Sequence, residues 1–236
     1  MSPPTTRRGF LGRALSSGGL LALGGLGCDS RRPKEGFLGV MERTNEGFQQ
    51  ALFDPERLAP ELPESALTPP GKYPAYRIGR DFPAAPAGWA LRVGGLVQRP
   101  LVLTAADLQR LPRTRVRVRH HCVEGWSAVA AWDGVRLSEL ARLAGIDPRV
   151  RYVEFRSFER GYFSSWDRES ALHPQTILAY GMNGSPLDRR YGAPLRLYSA
   201  VKLGYKMVKW ISEVTFLPVR TGGYWEDQGY EWFAGV

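Results

Sequence analysis

The sequence predicts an α+β domain of mixed β-sheets joined by short helices. Two features predict it. Apolar alternation with a period of two recurs in short runs from Gly88 onward, and the helical stretches between those runs are cut short by breakers such as Pro112 and Gly145.

The elements follow in order. Trp89, Leu91 and Val93 alternate as a half-buried strand, and residues 101–103 continue the sheet. Thr104 can cap a helix that runs to Leu111 and stops at Pro112. The stretch from Arg113 to Cys122 alternates strictly, with Thr114, Val116, Val118, His120 and Cys122 on one face. Arg113, Arg115, Arg117, Arg119 and His121 take the other face, which reads either as a solvated sheet surface or as a device that steers anions. Ser138 is the expected cap of the next helix, with Leu140, Leu143 and Ala144 on one side and Gly145 at its end. Residues 152–157 form a strand, and the segment to Trp166 is its returning partner. Asn183-Gly184 marks a tight turn after the apolar run 177–182. His173, before Pro174 in a loop, is expected to be solvated and is given no role.

The first part of the chain reads differently. Thr6-Arg7-Arg8-Gly9-Phe10-Leu11, followed by a Gly/Leu/Ala-rich stretch to Gly27, resembles a twin-arginine export signal over residues 1–27. Arg13 and the glycines leave too little continuous apolar length for a membrane span of roughly 20 residues. Leu26-Gly27-Cys28-Asp29 resembles a lipoprotein cleavage box with Cys28 as the lipidated residue, although Gly25 stands where a larger aliphatic is usual. The alternative is simple cleavage nearby. Residues 28–86 are expected to be an extended N-terminal wrap, because Pro60, Pro63, Pro69, Pro70, Pro74, Pro83 and Pro86 break any long helix. Residues 87–236 then form the domain.

Composition narrows the partners. At 236 residues and 43% hydrophobic content the chain can bury one sizeable core. A net charge of +9 suits nucleic acid, anionic lipid or an anionic ligand. Export, and the lack of any RNA-binding or helix-turn-helix signature, argue against nucleic acid. With Cys28 in the processed terminus, no disulfide framework is expected.

Cys122 is therefore the one cysteine in the domain. The arginines just upstream are expected to favour its thiolate. One sulfur cannot close a structural zinc site. It is an inert buried thiol, a nucleophile, or one ligand to a metal held mainly by something other than protein.

Cys122-Val123-Glu124-Gly125-Trp126-Ser127, preceded by the arginine-rich strand, resembles the molybdenum-binding segment of the sulfite oxidase superfamily, closest to the branch of the periplasmic methionine sulfoxide reductase catalytic subunit. Tyr191-Gly192-Ala193-Pro194-Leu195-Arg196 and Gly204-Tyr205-Lys206-Met207-Val208-Lys209 resemble its pterin-phosphate segments, with Tyr191 in place of the branch's asparagine. The resemblance implies a single molybdopterin-binding domain with molybdenum-molybdopterin as cofactor and Cys122 as the protein ligand to the metal. It also implies Arg196 and Lys209 on the phosphate, with the backbone of Met207 and Val208 beside them. Asn45, Phe48, Gln49 and Ser157 are its further cofactor-binding candidates, while Glu124 and Tyr205 are expected on the substrate side as catalytic candidates.

The function so implied is that of an exported molybdenum-dependent oxidoreductase transferring an oxygen atom to or from a small sulfur compound such as a sulfoxide, on the periplasmic or extracytoplasmic side. Sulfite oxidation, or a metal-free lipoprotein binding module on the same scaffold, are the alternatives. Little chain follows Pro218 and no CxxCH motif is present, so neither an immunoglobulin-like dimerisation domain nor a haem domain is expected. A monomer is expected, with a membrane haem protein or a cytochrome as its electron partner.

Overall fold

The computed structural model describes residues 36–236; the export signal expected at 1–27 and the lipid site expected at Cys28 lie outside the described residues. The described chain opens with helix α1 (Gly36–Leu52). This departs from the extended wrap expected for residues 28–86. The reason is the placement of the prolines: none falls within α1, and the first one after it is Pro55. From Phe53 to Gly88 the chain is extended apart from turns and one 3-10 turn at Glu64–Ala66. Polar ties fasten it to the domain. Gln175 binds both main-chain groups of Ala59, at 2.8 and 2.9 Å, and His173 Nε2 lies 3.1 Å from the Arg57 carbonyl. His173, expected to be solvated, is thus a buried structural residue.

Strands β1 (Leu91–Gly95) and β2 (Leu101–Leu103), helix α2 (Ala105–Arg110), strands β3 (Arg113–His121) and β4 (Ser127–Arg136) and helix α3 (Leu137–Ala144) come next. Strands β5 (Tyr152–Ser157) and β6 (Phe163–Asp167), helix α4 (Arg168–Leu172) and strands β7 (Ile177–Met182), β8 (Ser185–Pro186), β9 (Arg196–Tyr198) and β10 (Ile211–Leu217) complete the domain. One sheet runs β2-β1-β10-β5-β6, and the other β3-β4-β7-β8 with β9 also on β7. The β1–β10 pair is parallel and its sheet is therefore mixed; the second sheet is antiparallel. This is the α+β arrangement that the sequence predicts.

Local chemistry explains most boundaries. Thr104 and Asp107 close a reciprocal capping box on α2. Helix α3 begins at Leu137, directly off β4, so Arg136 rather than the expected Ser138 takes the cap position, and no side chain bonds there. Gly145 ends it at φ 65°. Asn183 and Gly184, both at positive φ, turn β7 into β8.

Alternation in β3 holds to its end. Val116, Val118 and His120 are buried, and the arginines face outward. Arg113 and Arg115 share the Asp133 carboxylate at 3.1 and 3.0 Å, and Arg117 bonds the Leu62 carbonyl. The arginine face is a solvated surface of an edge strand. Behind it, Trp132, Trp166, Trp210 and Phe155 fill the core.

Candidate active site

Where β3 ends, the chain turns sharply. Gly125 N donates to the Cys122 carbonyl at 3.1 Å, Cys122 N donates to the Trp126 carbonyl at 3.0 Å, and Gly125 sits at φ 86°. This turn places the Cys122 thiol on the wall of a cavity that encloses, with its open mouth, about 780 Å³. His120 of β3, Tyr73 of the N-terminal segment, Arg196 of β9, and Tyr205, Met207 and Lys209 of the stretch before β10 share that wall.

Two cations define its chemistry. Arg196 is 5% exposed and Lys209 7%, yet none of the ion pairs among the described residues includes either of them. The Arg196 guanidinium lies over the Trp132 ring and bonds only main-chain oxygens, those of Tyr191 at 3.0 Å and Leu197 at 3.2 Å. Lys209 Nζ bonds the Tyr76 carbonyl. Burial lowers the pKa of both, and with the Arg196 charge added it brings Lys209 down to about 7. Their closeness depends on Gly192, where a Cβ would sit 3.0 Å from that of Arg196 and 3.1 Å from that of Lys209. Two buried cations without a counter-charge are costly unless an anion completes the site.

The remaining polar groups point the same way. The Tyr73 hydroxyl and His120 Nδ1 are buried without a hydrogen-bond partner. Burial first, then the Arg196 charge, brings the His120 pKa down to about 3, so the ring is neutral. Among the described residues no three His, Cys, Asp or Glu cluster to hold a metal. A metal at Cys122 must therefore arrive mainly on a non-protein chelator. A bulky chelator that carries phosphate and polar ring atoms fits this donor set of one thiol, two unpaired cations and two unpartnered polar atoms.

The thiol itself behaves differently from expectation. Its pKa is raised, by burial first and also by Glu124, because the upstream arginines are engaged outside the cavity. Glu124 Oε2 lies 3.7 Å from Cys122 Sγ and accepts a 2.8 Å bond from Trp126 Nε1.

The other expected site residues are placed as follows. Tyr205 lines the cavity, but its hydroxyl is given to the Glu231 carbonyl at 2.5 Å. Met207 lines it too, while Val208 is fully buried; their N–H groups donate to Gly204 O and Lys206 O, both at 3.1 Å. Ser157 Oγ bonds the Trp210 carbonyl and receives Glu159 N, away from the cavity wall. Asn45 and Gln49 line a neighbouring opening that shares Val123, Tyr205 and Tyr230 with the cavity. Phe48 faces outward, 66% exposed. Sequence reasoning assigned no role to His120, Tyr73 or Gly192. His120 had a signal, since it lies two residues before Cys122 on the inner face of the strand that leads to it.

Known proteins resemble this chain in both sequence and fold. The profile of the oxidoreductase molybdopterin binding domain matches residues 80–225. A protein of Azospira oryzae, provisionally named as a protein-methionine-sulfoxide reductase subunit, YedZ1, is 42% identical over 231 residues, covering 97% of this chain and 87% of that protein. The protein-methionine-sulfoxide reductase catalytic subunit MsrP of Gluconobacter oxydans is 31% identical over 200 residues, 74% of this chain and 64% of its own length. The crystal structure of the sulfane dehydrogenase SoxCD from Paracoccus pantotrophus matches with a TM-score of 0.54 at 26% identity, over 56% of this chain and 39% of that one. Because the matched profile takes in well over half of the chain, with both sheets, Cys122, Arg196 and Lys209, the chain belongs to the molybdopterin-binding oxidoreductases and is a molybdenum-dependent enzyme.

Proposed function

We propose that the enzyme reduces a sulfoxide of the methionine sulfoxide type on the outer side of the cytoplasmic membrane, after export by the twin-arginine route. The observation that carries this reading is that the domain's one cysteine shares a cavity with two buried cations that have no carboxylate partner. Cys122 would give the metal its protein sulfur, and Arg196 and Lys209 would grip the phosphate of the chelator. Tyr73 and His120 would bond its ring atoms. When bound, molybdenum-molybdopterin supplies the redox change that oxygen-atom transfer requires.

The lining of the mouth supports a neutral substrate. Val123, Tyr76, Trp225 and Tyr230 give it apolar and aromatic walls, and Glu124 stands 3.7 Å from the sulfur. A neutral sulfoxide meets walls of its own kind there. Sulfite, an anion, meets the Glu124 carboxylate, while both cations would be taken up by the phosphate of the chelator. The names of the relatives from Azospira oryzae and Gluconobacter oxydans support the same substrate class. Reduction of a sulfoxide takes two electrons and two protons and yields the thioether and water. Glu124, 3.7 Å from the sulfur, would hand on a proton, and a membrane haem protein or cytochrome would bring the electrons.

Turnover of the molybdenum-loaded enzyme tests this directly. With an artificial electron donor, methionine sulfoxide should be converted to methionine, and sulfite with an artificial acceptor should be oxidised far more slowly. Preferential oxidation of sulfite would overturn the assignment.

A further inference from the structure

A helix that docks on a domain usually buries its apolar stripe. Helix α1 is turned the other way. Its inner side is polar: Gly39 is its one buried residue, Glu46 accepts a 2.6 Å bond from Arg220, and Gln49 accepts from Gly235 N at 3.2 Å. Phe37, Val40, Met41, Phe48 and Leu52 lie on the outside, each between 49% and 83% exposed. At 3.6 residues per turn these five share roughly a third of the helix circumference. No acidic or basic side chain interrupts that stripe.

The chain leading into α1 says what covers this face. Arg31, Arg32 and Lys34 stand immediately before it, and an apolar run rich in leucine and glycine precedes them. Basic residues beside an apolar helix face match an anionic bilayer, with lysine and arginine at the headgroups and the apolar side chains at the acyl boundary. Cys28 is eight residues before Gly36, a reach of at most ~29 Å when fully extended. With a lipid on Cys28, α1 stays within reach of the surface.

We propose that α1 is an interfacial helix that lies in the surface of an anionic membrane. It borders the opening formed by Asn45, Gln49, Tyr205 and Tyr230, which is continuous in its walls with the active-site cavity. Docking through α1 therefore holds the active-site mouth beside the bilayer, where an electron donor embedded in the membrane can approach it. The docking does not depend on turnover.

The test uses the full chain carrying Cys28→Ser, which cannot be acylated, with and without Phe37→Ser, Met41→Ser and Leu52→Ser. All three residues of α1 are exposed, so their replacement leaves the fold intact. Co-sedimentation with phosphatidylglycerol–phosphatidylethanolamine vesicles is the readout. Binding of the Cys28→Ser chain should weaken on the order of tenfold or more with the three added substitutions, and more salt should weaken it further. Turnover with a soluble donor should be equal in both chains, so the redox assignment and the docking stand or fall separately. Equal vesicle binding by the two chains, or none by either, would overturn the proposal. So would a dimer at micromolar concentration that the three substitutions dissolve without changing vesicle binding, since the face would then be an interface between copies.

Discussion

Lys206 and Lys209 stand three residues apart and are both buried, but only Lys206 has a carboxylate to bond: its Nζ meets Glu226, whereas Lys209 faces the cavity. The two should therefore respond oppositely to the same substitution. Lys206→Met leaves the Glu226 carboxylate buried and unpaired and should cost about 3–5 kcal/mol of stability. Lys209→Met removes an uncompensated charge and should leave the metal-free protein as stable or more so, while molybdenum content falls about tenfold or more. Chemical unfolding and metal analysis of the two variants check this pair of outcomes.

The pH dependence of the metal-free protein follows from the same lysine. In the unfolded chain Lys209 keeps its proton up to its ordinary value of 10.5, and in the folded protein only below about 7. The folded state thus binds fewer protons across that window, and its stability rises as pH is raised from about 7 towards 10. Lys202, lowered to about 8 by burial, adds a slope of the same sign in the upper part of the window. Unfolding in urea at a series of pH values should show this rise, and Lys209→Met should flatten its lower part. An unchanged slope in that variant would place the lysine in water rather than in the cavity wall.

Gly192 sits at φ 115°, with the Cβ atoms of Arg196 and Lys209 crowding the space a side chain would take. Gly192→Ala strains the backbone and forces the two cations apart. A loss of about 1–3 kcal/mol is expected, together with a several-fold fall in molybdenum content. Thermal unfolding and metal analysis measure the two effects on one sample.

Glu124 separates proton supply from metal binding. Glu124→Gln keeps an oxygen for the Trp126 Nε1 bond, so the melting temperature and molybdenum content should hold. Turnover of methionine sulfoxide should drop on the order of 10²-fold in kcat with little change in KM. A fall in metal content instead would assign Glu124 to cofactor binding.

Much of this site is legible in the sequence. Strand parity put His120 on the inner face of β3, because side chains alternate whatever the tertiary context, while Cys122 is aimed by the turn that follows the strand. The two lysine- and arginine-bearing segments were recognisable by their order along the chain. What could not be read depends on groups distant in sequence. The arginines of β3 fail to lower the Cys122 pKa because Asp133 of the neighbouring strand holds two of them. The roles of Tyr73 and His120 need the cavity they face. Helix α1 was hidden by the prolines that follow it, and its outward apolar stripe runs against the usual sense of amphipathic patterning.

On the proposed reading, the Cys122 sulfur binds the same metal whose chelator Arg196 and Lys209 hold. X-ray absorption at the molybdenum edge, on wild-type and Cys122→Ser protein produced in a molybdenum-competent host, tests it most directly. Metal is expected in both samples, with one sulfur neighbour fewer in the variant. An identical sulfur count in the two would contradict it.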